Sequence, residues 1–379
     1  MSKKAALWFL AMVVPLFMLS GCIGTASQLT KAASNGDDLA VEQYLAEGRE
    51  VDAKDWDGAT SLYYAALSGH IAVLQRLLEA GADPDALNLK YKKTALRAAV
   101  DGDSVDAVAL LLREGADPNI PDKNGKTPFH ISVEGFKLKL AEMLLANGAD
   151  VNLRAESYTP LMMAARAKNT DMVKLLLAEG ADATLLSEGD RLKNLNALFF
   201  AVDGLVRVND VPLSFPEDLD GFPSSMSQII AEEFSDKKLK MIEWLALAGA
   251  EVSGTGGMFP PLHMTVTDNE NLKVSEKLLL LGADPNEKGS NDQTALYWAA
   301  SKGNAEQVAL LLAFGAEVNV KNRDELRTAL HIAAQNGYTK VVDILLAAGA
   351  DANQRGGIGY TPFYLASYGG HVDVIKSMI

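Results

Sequence analysis

One cysteine, five histidines and a shortage of positive charge set the first limits on this 379-residue sequence. A lone cysteine cannot close an intrachain disulfide, and it cannot build a multi-thiolate metal site. The 35 basic residues face 49 acidic ones, a net charge of −14. Such a surface repels phosphate backbones, so nucleic acid is not expected as a partner. No G-x-x-x-x-G-K-[S/T] phosphate loop and no G-x-S-x-G nucleophile elbow occurs. The apolar run at the amino terminus, Ala5 to Leu19, is interrupted by Pro15 and falls short of the roughly 17–25 residues that span a bilayer core. Apolar material itself is plentiful: 48% of residues are hydrophobic, which excludes disorder as the main state. Length alone, at roughly 150 residues per domain, suggests two or three ordinary domains.

The amino terminus reads as an address. Lys3 and Lys4 form a short basic region ahead of the apolar run, as in a signal peptide. The run ends in Leu19-Ser20-Gly21-Cys22, which resembles the lipobox of bacterial lipoproteins. That resemblance implies cleavage before Cys22, a diacylglyceryl group on its thiol and acylation of the new amino terminus. Several acyl chains anchor stably where one is marginal. The expected organisation is therefore a signal peptide over 1–21 and a lipid tether over 22–26. A plain signal peptide or an uncleaved anchor is the other reading. Residue 23 is Ile rather than Asp, which by the same resemblance leans toward an outer membrane, on its periplasmic side or at the cell surface, rather than an inner one.

The remainder repeats. Gly-Ala-Asp/Glu recurs with its glycine at 81, 115, 148, 180, 249, 282, 315 and 349, with a degenerate copy at Gly48. Apart from one gap of 69, the spacing is 32 to 34 residues. A second phrase leads most of these glycines: Thr60-Ser61-Leu62, Thr94-Ala95-Leu96, Thr127-Pro128-Phe129-His130, Thr159-Pro160-Leu161, Thr294-Ala295-Leu296, Thr328-Ala329-Leu330-His331 and Thr361-Pro362-Phe363. Asn196-Ala197-Leu198 and Pro261-Leu262-His263 are weaker copies. Thr caps a helix start, and Pro is tolerated in the first turn. Small pairs such as Ala65-Ala66 and Ala333-Ala334 let helices approach closely. Gly69, Gly303 and Gly337 end a first helix. Val308, Leu311 and Leu312, like Val342, Leu345 and Leu346, keep helical spacing along a second. Gly315 and Gly349 supply left-handed C-caps.

A period of 33 with a T-P-L-H-x-A phrase resembles the ankyrin repeat. The resemblance covers about 27–379 in ten units and implies an all-α ankyrin-repeat solenoid of helix-turn-helix repeats with hairpin-like finger loops. The last unit is expected to be incomplete at Ile379, within its second helix. The 69-residue gap holds a first helix at Asn196–Val202, a second at Leu239–Ala248, and an acidic, proline-containing insertion over about 205–236. A short helix is expected near Ser225–Phe234. The insertion is either a tolerated surface loop or an element that contacts a partner.

The histidines leave little room for catalysis. By the resemblance, His130, His263 and His331 brace the turn of the T-P-L-H phrase, while His70 and His371 follow the glycine between paired helices. No His/Cys/Asp cluster with metal spacing remains, and Gly254-Thr255-Gly256-Gly257 lies in a finger. No catalytic residue, cofactor, metal or small-molecule substrate is expected.

Partner binding is expected on the concave face formed by first helices and finger tips. Trp56, Tyr91, Tyr158 and Tyr360 fall in fingers. Tyr63, Phe199, Tyr297 and Tyr364 take the histidine place, and Tyr64, Phe200 and Trp298 come one residue later, where the family is mostly buried. The candidate contacts are Trp56, Tyr63, Tyr91, Tyr158, Tyr297, Tyr360 and Tyr364, since Tyr and Trp are typical interface anchors; inter-repeat packing is the alternative at the histidine place. Tyr91 sits among Lys90, Lys92 and Lys93, a basic tip that could read an acidic partner. The resulting expectation is a non-catalytic scaffold for a protein partner, held at a bacterial membrane through Cys22. The alternative is a surface-exposed or host-directed effector that binds eukaryotic proteins.

Overall fold

Each Thr-led phrase opens a first helix, and each Gly-Ala-Asp phrase closes a second. The computed structural model describes residues 28–188, 194–203, 224–253, 260–266 and 271–379. Cys22, its lipobox, the first part of the 205–236 insertion and the Gly254–Gly257 run lie outside these residues. The described residues contain helices and turns and no strand, as the solenoid reading expects. They fall into two units, 1–156 and 157–379.

In the first unit, helix α1 covers 28–35. It is followed by α2 (Asp38–Ala46), α3 (Ser61–Ser68), α4 (Ile71–Glu79), α5 (Ala95–Asp101), α6 (Val105–Arg113), α7 (Pro128–Glu134) and α8 (Leu138–Ala146). First helices pack on first helices, α3 on α5 on α7. Second helices pack on second helices, α2 on α4 on α6 on α8.

The second unit holds α9 (Pro160–Arg166), α10 (Thr170–Ala178), α11 (Ala197–Asp203), α12 (Ser224–Leu247), α13 (Pro261–Thr265), α14 (Leu272–Leu280), α15 (Ala295–Lys302), α16 (Ala305–Ala313), α17 (Ala329–Asn336), α18 (Thr339–Ala347), α19 (Pro362–Tyr368) and α20 (Val372–Ser377). They stack in the same odd-on-odd, even-on-even way. Helices this short do not persist alone in water; stacking buries what each cannot. Leu62, Ala65, Ala66, Leu74 and Leu77 are fully buried, as are Leu330, Ala333, Ala334, Val342 and Leu345.

The caps follow the sequence closely. The Thr60, Thr94, Thr159, Thr294 and Thr361 hydroxyls accept the backbone N–H three residues on, at 3.2–3.4 Å. Pro128, Pro160, Pro261 and Pro362 occupy the first turn, where a missing N–H costs nothing. One element departs from expectation. Residues 224–236, read as part of the inserted loop, belong to α12, a single 24-residue helix. The short helix near Ser225–Phe234 and the second helix at Leu239–Ala248 are therefore one element. The physical reason is in the sequence: from Ser224 to Ala248 there is no proline or glycine to break it.

Glycine at the end of a first helix has a second role. Gly337 caps α17 with φ 77°, and a Cβ there would stand 2.5 Å from the His371 Nδ1 of the next repeat. The His371 Nε2–H donates to the Gln335 carbonyl at 2.8 Å, so the ring cannot easily withdraw. Gly36 and His70 repeat this arrangement. Gly337→Ala therefore combines left-handed strain with a clash, and is expected to cost more than about 2 kcal/mol. Gly315→Ala is the comparison: its φ is 89° but the space is open, so only the strain of about 1–2 kcal/mol applies. Urea denaturation of the two variants measures the difference, and equal losses would remove His371 from the account.

Candidate protein-binding surfaces

The fingers are held from below by the Gly-Ala-Asp phrase. Two residues past the acidic position stands Asp, Asn or Ser, and its side chain accepts the backbone N–H of the next repeat's acidic residue. The pairs are Asp52 with Asp83, Asp85 with Asp117, Asn119 with Asp150, Ser253 with Asp284, Asn286 with Glu317 and Asn319 with Asp351. The amides of Asn119, Asn286 and Asn319 also donate to the carbonyls of Gly148, Gly315 and Gly349. These residues, all half-buried except the exposed Asn319, thus set finger spacing. Burial raises the Asp52 and Asp85 carboxyls above their ordinary range, partly opposed by the amides they accept.

Nearer the tips, one backbone bond joins neighbouring fingers. Leu89 N–H donates to Gly58 O, Lys123 to Tyr91, Glu188 to Ser157, Arg323 to Asn291 and Gly357 to Glu325, at 2.7–3.2 Å. These fingers are consequently tied to their neighbours rather than free loops.

Above the tips' base, a histidine links three of the first helices to the following finger. The His130 ring is fully buried. Its Nε2–H donates to Leu153 O at 2.8 Å, and its Nδ1 accepts the Thr127 amide at 3.2 Å and lies 2.8 Å from the Thr127 hydroxyl. His331 repeats this with Tyr360 O and Thr328. His263 donates to Gln293 O at 3.0 Å, but Pro260 precedes its helix and its Nδ1 has no partner among the described residues. Burial lowers all three, His130 and His263 to about 4.

Arg97 stands in the same place of α5 and was not singled out from sequence. Its Nη1 donates to Asp122 at 2.8 Å and to the Lys126 carbonyl at 3.3 Å, and its Nε donates to Asp101 at 3.0 Å. Lys93 adds a second cation on Asp101, at 2.7 Å. The available signal was positional: Arg97 follows Thr94-Ala95-Leu96 where histidine follows elsewhere.

The candidate contact residues divide by exposure. Tyr63 and Tyr297 are buried, each keeping 8% of its surface, and burial raises both phenols. At these two positions the rings pack between repeats. Phe199 is buried likewise. Of the residues one place on, Phe200 is buried, while Tyr64 and Trp298 are half-buried. The Tyr64 hydroxyl donates to Asp55 at 2.8 Å. Tyr158 is half-buried, edge-on to Phe200 at 5.3 Å, with the Arg166 guanidinium 6.0 Å from its ring. Trp56, Tyr91, Tyr360 and Tyr364 are exposed.

Tyr360 and Tyr364 stack at 4.2 Å, and Tyr368, which sequence reasoning missed, continues the row at 6.4 Å. Its signal was the i, i+4 spacing from Tyr364. The three rings line a cavity of about 470 Å³ together with Arg327, Gln335, Leu365 and Gly369. Arg327 is held by Glu325 at 3.2 Å and by the Gln335 carboxamide oxygen at 2.6 Å. Among the described residues no group of three or more His, Cys, Asp or Glu is placed to hold a metal ion. No described helix is long and apolar enough to cross a membrane.

Helix pairs in a tied row, an exposed aromatic groove and fingers fixed by backbone bonds define a repeat-type interaction scaffold. The family model described as "Ankyrin repeats (3 copies)" matches residues 25–88, 77–155, 96–187 and 262–356, together more than half of the chain. The chain belongs to the ankyrin-repeat family. It is also similar to a putative ankyrin repeat protein of fowlpox virus (strain NVSL), 40% identical over 57 residues. That stretch is 15% of this chain and spans only 8% of the viral protein's length. Ankyrin repeats imply a protein partner, and the family is typically non-catalytic.

Proposed function

We propose that the chain is a non-catalytic scaffold that captures a protein partner and is held at a bacterial membrane by lipid on Cys22, with the outer membrane favoured by Ile23. The observation that carries binding is the Tyr360, Tyr364 and Tyr368 row beside its cavity. Three large rings left open, Tyr364 and Tyr368 on α19 and Tyr360 in the finger before it, offer apolar area that a partner can bury. Tyr offers that area with few rotatable bonds and a hydroxyl that stays solvated. The tether rests on Leu19-Ser20-Gly21-Cys22, with the chain's single cysteine at the lipobox position.

Two arms of one experiment test the parts separately. Cross-linking in the native envelope, followed by partner identification, is expected to recover a specific protein. Joint replacement of Tyr364 and Tyr368 by Ala is expected to weaken that capture at least tenfold, as loss of an aromatic anchor pair does. Labelled fatty acid is expected to enter the wild type and not Cys22→Ala. Unchanged capture removes the tyrosine row from the site, and equal labelling removes the lipid.

A further inference from the structure

Three consecutive fingers of the first unit place Trp56, Leu89 and Lys123 in equivalent positions, 33 and 34 residues apart. Trp56 is 83% exposed and Leu89 69%. The three fingers are tied to one another: Leu89 N–H is bonded to Gly58 O, and Lys123 N–H to Tyr91 O. Around them lie Lys54, Lys90, Lys92, Lys93 and Lys123. The ammonium groups of Lys90 and Lys123 stand 5.1 and 4.8 Å from the Tyr91 ring centre. Lys90 is paired with Asp57 at 3.1 Å and Lys93 with Asp101. Lys92 and Lys123 are exposed and make no ion pair among the described residues. Asp55 and Asp122, equivalent acids of the first and third fingers, are turned inward: Asp55 accepts from the amides of Asp57 and Ala59 and from Tyr64, and Asp122 from the amides of Asn124 and Lys126 and from Arg97. An acidic chain thus shows here a basic edge set with an indole and a leucine.

We propose that this finger edge is a membrane-contact surface, with Trp56 and Leu89 seated in the bilayer interface and Lys90, Lys92 and Lys123 against anionic headgroups. The proposal rests on the Cys22 tether. Helix α1 is in place at residue 28, 33 residues before Ser61 opens α3. In α3 that position is where the finger runs into the first helix. Residue 28, six positions after Cys22, therefore stands on the finger edge of the first repeat. The few residues between them reach no more than about 20 Å, and the finger carrying Trp56 is the next along that edge.

Charge then selects the orientation. Most of a chain at −14 is repelled by anionic lipid, while clustered lysines are drawn to it within a Debye length. Trp and Tyr favour the headgroup level, where one side of the ring is apolar and the other wet. Lysine stems lie along apolar surface while their ammonium groups reach the phosphates. An acidic protein segment could meet the same lysines. The membrane is favoured because the tether brings it to this edge, and because Trp56 and Leu89 are exposed there beside the lysines.

The test uses the full chain, as cells process it, reconstituted into vesicles of phosphatidylcholine with brominated phosphatidylglycerol. Flotation reads anchoring, and tryptophan quenching reads contact. The expected result is strong quenching in the wild type, lost in large part in Trp56→Phe. It is also lost in the Lys90→Glu, Lys92→Glu, Lys123→Glu variant and on raising salt. The other tryptophans give a background common to the wild type and Trp56→Phe. Flotation with equal quenching in wild type and Trp56→Phe overturns this proposal and leaves the tether standing. Failure to float overturns both. A Trp56 signal that responds to added polyglutamate and not to bromolipid overturns it in favour of an acidic protein.

Discussion

Arg97→Met is expected to lower the unfolding free energy of the first unit by about 3–5 kcal/mol, the range for removing one partner of a buried ion pair. Side-chain exposure is 8% for Arg97 and 4% for Asp122, so water cannot replace the lost contact. The Asp122 carboxylate accepts the amides of Asn124 and Lys126 with Oδ1 and Arg97 with Oδ2. Burial pushes its carboxyl up, and those two amides with the Arg97 charge more than offset it, holding it below the ordinary range. Methionine fills the volume of the arginine stem but leaves Oδ2 buried without a cation. Adding Asp122→Asn removes that stranded charge while keeping an oxygen for the two amides. The double variant is therefore expected to recover a substantial part of the loss, with coupling above about 1 kcal/mol between the two sites. The exposed pair Lys340–Glu306, at 73% and 56% side-chain exposure, is the control: Lys340→Met is expected to cost less than about 1 kcal/mol. Urea denaturation at neutral pH of Arg97→Met, Asp122→Asn, the double variant and Lys340→Met, each against the wild type, measures these differences, and a near-neutral Arg97→Met would show that the network is only a solvated pair.

The same cluster shows where sequence reading succeeds and stops. Helix starts were legible because Thr and Pro act through their own backbone neighbours. Helix ends were legible because glycine acts through its own φ. The Asp and Asn residues of the fingers were visible as a pattern, but their use was not, since each bonds to a residue about 31 positions away. Arg97 went unnoticed because it replaces histidine chemically rather than resembling it: both reach the next finger, one through an imidazole N–H and the other through a guanidinium. α12 was divided because acidic composition suggested a loop, although nothing from Ser224 to Ala248 breaks a helix.

For the candidate contacts, residue type was legible and exposure was not. Tyr63, Tyr297 and Tyr364 hold the same place in the repeat, yet the first two are covered and Tyr364 is 43% exposed. What differs is the neighbouring repeat, and a periodic pattern carries no information about how much of each ring its neighbour covers. Tyr368 joined the row only once the stacking of Tyr360 on Tyr364 was visible.

Lowering the pH from 7 to 5 is expected to remove about 2 kcal/mol of stability at each of His130 and His263. The reason is the bonding of the neutral ring. A carbonyl can only accept, so His130 Nε2 carries the proton shared with Leu153 O, and Nδ1 is left to accept from Thr127. A second proton on Nδ1 would face the Thr127 N–H, and at His263 it would meet no acceptor among the described residues. Burial lowers both to about 4 from an ordinary 6.5. The folded value lies below the unfolded one, so this stability is complete above about pH 6.5 and is lost as pH falls toward 4. His331 is lowered for the same first reason and adds in the same direction. Carboxylates held below their usual range, such as Asp38 and Asp122, act only at lower pH. The carboxyls of Asp52 and Asp85, raised by burial, act in the opposite sense and gain stability as pH falls, so over the interval from 6.5 to 5 it is the comparison with His130→Gln that isolates the histidine. Urea midpoints across that interval are expected to fall steeply in the wild type. In His130→Gln the midpoint should start lower and fall less steeply, because glutamine can still donate to Leu153 O and takes up no proton. Parallel curves for the two proteins would mean that His130 does not titrate on unfolding, and that its bonds brace the repeat without making it acid-sensitive.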